Sequence, residues 1–166
     1  MLVPIQDLDD KSRVWIYQSS ESLSEEQVIA IKSELLQFLE KWTSHNQRLY
    51  TSGDVLYNRF IVIMVDETYV GTGGCSIDKS IHFIEDLESR FNLTLLERTQ
   101  VAYLTNFSDS NITSINTTHL DNLHQMIQNK SISEDTVVFN NLVKTKLDFL
   151  SSWKIPLGQS WHKRFL

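Results

Sequence analysis

Apolar residues recur along this chain with two different periods, and the changes of period divide it into strands and helices. Arg13 to Gln18, RVWIYQ, is a β-branched and aromatic run between polar residues and predicts a strand. Ser24-Glu25-Glu26-Gln27 follows as a capping box, with Leu23 and Val28 placed to form a hydrophobic staple around it. Val28, Ile31, Leu35, Phe38, Leu39 and Trp42 then fall on one helical stripe and predict a helix from about 25 to 43. Residues 44 to 57 mix His, Asn, Ser, Gly and Asp with Tyr50, Leu56 and Tyr57 and suggest a long connection with its aromatics tucked down. Phe60 to Val65 is a continuous apolar run, the pattern of a central strand buried on both faces.

After Gly71-Thr72-Gly73-Gly74 the spacing predicts a second helix, capped by Ser76, that buries Ile77, Ile81, Ile84, Leu87 and Phe91 and ends at Asn92. Gln100 to Thr105 and Asn111 to Asn116 predict a hairpin around a turn at Asn106 to Ser110. Leu120, Leu123, Met126 and Ile127 mark a short helix, Thr136 to Phe139 a strand, and Leu142, Lys146, Phe149 and Leu150 a last helix. The tail from Trp153 to Leu166 is too apolar to be left in water and is expected to dock. Strands joined partly by helices and partly by a tight turn imply an α+β fold, a mixed sheet with helices packed on it. No repeat, linker or low-complexity block interrupts residues 1–166, so a single domain is expected.

Composition narrows the function classes. Apolar residues at 41%, with eight Phe, five Tyr and four Trp, supply a core and exclude a disordered chain. Fifteen Lys plus Arg against 21 Asp plus Glu give a net charge of −6, which opposes nucleic-acid binding, and the densest basic group, His162-Lys163-Arg164, is too short for a phosphate track. The longest apolar run is far short of a membrane span. The N-terminus MLVPIQDLDD lacks the features of an export signal, so a soluble, cytoplasmic protein is expected. Five Asn-x-Ser/Thr matches, at Asn92, Asn106, Asn111, Asn116 and Asn129, then need no explanation beyond composition.

The chemistry concentrates in residues 71–80. Gly73 to Ser80 aligns with the phosphate-loop pattern G-x-x-x-x-G-K-[ST] except that Asp78 stands in the second glycine's place, where it opposes a bound anion. The apolar strand ending in a carboxylate that a nucleotidase uses for magnesium has its best match upstream, at Ile61 to Asp66. Gly73, Gly74, Cys75 and Ser76 are the candidate ligand-binding residues. Cys75, the one cysteine, is the candidate nucleophile, because a helix N-terminus activates a thiol. His45, His82 and Asp66 are its possible partners, while its apolar neighbours favour a buried thiol. No metal site is expected, since His119 and His124 are five apart and do not share a helix face. Asp9-Asp10 and Glu25-Glu26 are accounted for by an N-terminal position and a helix's first turn.

Four stretches, RVWIYQS, GCSIDKSIHFI, DTVVFNNLVKTK and SWHKRFL, together resemble a small bacterial family whose members carry the label ABC transporter ATPase, over nearly the whole chain. What that resemblance implies is nucleotide binding. Of the features of transporter ATPases, this chain offers only the interrupted loop at Gly73 to Ser80, without LSGGQ, so no catalytic residue is carried over. The order of a helix, Lys130 to Val138 and then Trp153 is also similar to GYF-like peptide-binding modules, over about the last third. The function expected is that of a non-enzymatic binding protein whose partner is a protein or small ligand, with no cofactor. An enzyme using Cys75 is the alternative, and a nucleotide-binding ATPase the third.

Overall fold

A computed structural model describes residues 1–106 and 113–166, and among them the chain is α+β, with antiparallel sheets and helices in two compact units. The first unit comprises Met1–Glu97 and Leu142–Phe149. Its elements are β1 (Arg13–Gln18), α1 (Glu25–Lys41), β2 (Thr43–Ser44), β3 (Gln47–Arg48), β4 (Tyr50–Leu56), β5 (Phe60–Asp66) and α2 (Gly74–Phe91). The main sheet has the order β1-β5-β4, all antiparallel. Every residue of β5 is buried, as expected of a central strand with two covered faces. Both outer strands are extended by bridges, β4 through Thr51 to Leu2 and β1 through Arg13 to Thr145.

The capping box of α1 forms as its sequence predicts: Ser24 Oγ accepts from the Gln27 N–H and Gln27 Oε1 accepts from the Ser24 N–H. The helix then buries Ile31, Leu35 and Leu39, which join β5, Ile84 and Leu87 in one core. At the far end of β5, burial pushes the Asp66 carboxyl up. Hydrogen bonds from the Thr68 side chain and N–H and from the Asp9 N–H, with the charge of Lys146, outweigh that and hold it below the usual carboxylate range.

The long connection expected at 44–57 is instead structured. His45 and Asn46, both at positive φ, turn β2 into β3 as a two-residue hairpin. β4 follows, and its alternation is hidden because its inward positions include Thr51 and lie beside Gly53. Thr51 is fully buried and its hydroxyl donates to the Leu39 carbonyl at 3.2 Å. Of the two aromatics, Tyr50 is half-buried, whereas Tyr57, at 49% exposure, is not tucked in and sits with Asn58 in the turn into β5.

The second unit comprises Arg98–Asn141 and Leu150–Leu166. It contains β6 (Gln100–Asn106), β7 (Thr113–His119), a 3-10 turn at Leu120–Asn122, α3 (Leu123–Gln128), β8 (Val137–Phe139) and β9 (Lys154–Pro156), with α4 (Lys146–Ser152) straddling the division. The sheet order is β7-β6-β8-β9, and β6 and β7 pair antiparallel as the expected hairpin. Its turn, the first residues expected of the second strand and the remainder of the Asn-x-Ser/Thr matches at Asn106 and Asn111 lie outside the described residues. Val101, Leu120, Leu123, Ile132, Val138 and Leu157 form the core of this unit. α4 buries Lys146 and Phe149, but Leu142 precedes the helix and is exposed, as is Leu150. The tail docks on its own unit as expected: Trp153 and Leu157 are buried, and the Trp153 indole donates to Asn141 Oδ1 at 3.0 Å.

Among the described residues no helix is long and apolar enough to cross a membrane.

Candidate functional site

The segment singled out in sequence, residues 71–80, forms the entry to α2 and its first turns. Gly73 is the N-cap, with extended backbone at φ −89°, and Gly74 is the first helical residue. Ser76, expected as the cap, lies inside the first turn and is buried. Its Oγ and its N–H both donate to the Gly73 carbonyl, at 2.7 and 3.0 Å. A cap must leave the helical conformation one residue before the turn begins, and here the glycine does so without offering a side chain.

Polar contacts from in and beside the preceding hairpin hold the cap residue and the first turn in place. Ser44 Oγ accepts from the Gly73 N–H at 3.2 Å, and the Trp42 indole donates to the Ser76 carbonyl at 2.9 Å in a buried bond. The His45 ring lies against Gly73, so close that a Cβ there would come within 3.2 Å of Nε2. Before the cap, Thr72 donates through its N–H to Glu67 at 2.8 Å and through its hydroxyl to the same carboxylate. Arg13 reaches Thr72 Oγ1 at 3.4 Å and stands 4.6 Å over the Trp15 ring. Five residues from three separate segments thus hold the entry to α2. Ser44, Glu67 and Arg13 carry no local sequence signal for this role, and Trp42 was visible only as the end of an apolar stripe.

The buried face of α2 runs through Ser76, Ser80, Ile84 and Leu87, while Ile77, Ile81 and Phe91 are half-buried. The expected stripe is therefore turned towards two serines whose hydroxyls are satisfied locally, Ser80 by the Ile77 carbonyl at 2.7 Å. Small hydroxyl residues can be buried at low cost when they bond backward along their own helix. The helix ends as predicted, with Asn92 at φ 52° as a left-handed cap.

Cys75 is exposed, against the expectation of burial. As the second residue of a helix whose inward face starts at Ser76, it is turned outward despite its apolar neighbours in sequence. Among the described residues no hydrogen bond reaches its sulfur. Of its possible partners, His82 pairs with Glu85 at 2.8 Å, Asp66 is committed to Thr68 and Asp9, and His45 faces Gly73. Asp78 and Lys79 are exposed on the second turn. Residues 74–80 are helical throughout, so successive N–H groups run along one axis and do not curl around a common centre as a phosphate loop requires.

His119 and His124 are likewise occupied separately: His119 Nδ1 accepts from the Asp121 N–H at 3.3 Å, and His124 Nε2 contacts Gln128 at 2.7 Å. No group of three metal-ligating side chains occurs among the described residues. No family model matches the chain, and no curated protein and no solved structure matches it.

Proposed function

We propose that this chain is a non-enzymatic cytoplasmic binding protein that meets a protein or small ligand through the surface running from Tyr69 to Lys79. The observation that carries the proposal is a fixed backbone under exposed side chains. Tyr69 is 71% exposed, with its ring 5.0 Å from that of Tyr50, and Cys75, Asp78 and Lys79 face solvent. Beneath them Trp42, Ser44 and Glu67 tie down the chain. A surface held in place before it meets its partner loses little conformational freedom on binding. The commitment of His82 to Glu85 and of Asp66 to Thr68 and Asp9 supports binding over thiol catalysis. The helical course of residues 74–80 supports it over the nucleotide reading that the resembled family's label suggests.

The test uses the lone thiol. A photoactivatable crosslinker is attached at Cys75 and irradiated in cell extract. One discrete adduct is expected, competed by unlabelled protein and weakened about tenfold by Tyr69→Ala. No adduct, or the same adduct from a Cys75→Ser protein carrying its cysteine at Ser133, overturns the proposal. The exposure of Cys75 favours one second reading, an enzyme with a thiol nucleophile. Turnover of an acyl or disulfide substrate that is abolished by Cys75→Ser would establish it.

A further inference from the structure

We propose that the His162 imidazole is an acid-sensitive latch on the second unit: neutral, it holds residues 157–166 down, and protonated, it lets that segment open while the strands stay formed. Leu157 is fully buried, the chain turns at Ser160, and Trp161–Phe165 forms a 3-10 turn. Ser160 Oγ donates to the Leu157 carbonyl at 2.9 Å and accepts from the His162 N–H at 3.1 Å, and it lies 3.1 Å from His162 Nδ1. A hydroxyl has one proton to give. With that proton on the Leu157 carbonyl, Nδ1 carries the ring's own proton and donates it to Ser160. A second proton therefore has to sit on Nε2 as a buried positive charge.

The surroundings do not favour that charge. His162 is 3% exposed and its ring centroid is 4.3 Å from that of Trp161. Lys163 and Arg164 on the same turn are cationic, and the Arg164 guanidinium is 4.8 Å over the Trp161 ring. The adjoining turn Leu157–Gln159 has no titratable side chain, although Glu134 lies against Gly158. The turn Leu120–Asn122 brings Asp121, which is 83% exposed and paired with His119 at 3.2 Å. Burial, and secondarily the charge of Arg164, hold the His162 pKa down from 6.5 to about 4. The unfolded or opened ring takes its proton first, so the latch is intact above about pH 6.5 and weakens as pH falls towards about 4. The segment opens before the sheet because it is held by short 3-10 turns and by two amides, those of Leu157 and Gly158 on the Thr136 and Glu134 carbonyls, whereas β6 and β7 share a seven-residue ladder.

The test is hydrogen exchange of the full chain, resolved by residue, from about pH 7 to about pH 4 and corrected for intrinsic rates. Protection of the Gly158, Lys163 and Leu166 amides should fall about tenfold per pH unit below about 6.5, with the β6–β7 amides unchanged. His162→Asn keeps a donor near the Nδ1 position and has no proton to gain in this range, so its profile should be flat whatever its absolute level. Wild-type protection that stays flat, an equal fall in His162→Asn, or loss of the β6–β7 amides in step overturns the latch. If the variant does not fold, the wild-type ring titration decides: a midpoint near 4 supports the latch, and one near 6.5 sinks it.

Discussion

Gly53→Ala should destabilise the first unit by about 1–2 kcal/mol, although the change is a single methyl group at a strand position. A Cβ at Gly53 would lie 2.6 Å from Leu39 Cδ1, 2.8 Å from the Val62 carbonyl oxygen and 3.4 Å from Leu35 Cδ2. The first two distances are about 1 Å inside an ordinary contact. Leu39 and Leu35 are fully buried and Val62 is 2% exposed, so none of them can retreat towards solvent. Rotating Leu39 off its rotamer costs about 1 kcal/mol, and moving the Val62 carbonyl strains the β4–β5 ladder at its Asp54 pairing. Overpacking of this kind costs about 1–3 kcal/mol, and the lower unfolded-state entropy of alanine returns about 0.5–1. The expected readout is a urea midpoint shifted down and a Tm lower by about 4–8 °C, followed by circular dichroism. Gly71→Ala, where the Cβ meets nothing within 4 Å, is the control and should be close to neutral. Repeating Gly53→Ala in a Leu39→Ala background should recover about half the cost or more. An unchanged midpoint refutes the close approach of α1 to β4, and an equal cost in both backgrounds removes Leu39 as its source.

Two further outcomes follow from the first turns of α2. Iodoacetamide should modify Cys75 in native protein at a rate within about threefold of that in denaturant, and Cys75→Ala should change stability by less than about 0.5 kcal/mol; a native thiol that resists reagent until unfolding contradicts its outward placement. Calorimetry with Mg-ATP should show no micromolar binding, since Asp78 and Lys79 lie on a helix; binding that vanishes in Lys79→Ala would restore the nucleotide reading.

The elements that were legible in sequence are those whose signal is local and redundant. β5 is apolar at six successive positions, and α1 combines a capping box with a repeating stripe, so propensity, pattern and cap agree. β4 has no such agreement. Its buried Thr51 is polar, its Gly53 answers to the neighbouring helix, and its partner is reached through the left-handed residues Tyr57 and Asn58. Each of these choices is made by tertiary contact, and each removes an apolar residue from the alternation that would announce a strand.

The same reason explains why the helix entry after Gly71 to Gly74 is legible in sequence but its geometry is not. Glycines after a strand mark a helix entry, and that much is local. The cap residue is held by Ser44, 29 positions earlier, and the first turn by the Trp42 indole, 34 positions before the carbonyl it meets, and neither contact is written in the local sequence. Ser76 lies on the face of α2 that continues through Ser80, Ile84 and Leu87, so the polar residue is the inward one. Cys75, one position earlier on the helix, is thereby carried to the outside. Its exposure goes with that inward face, so Trp42→Phe, which keeps a ring but removes the donor to the Ser76 carbonyl, should leave the thiol open to iodoacetamide while Ile84 and Leu87 stay buried.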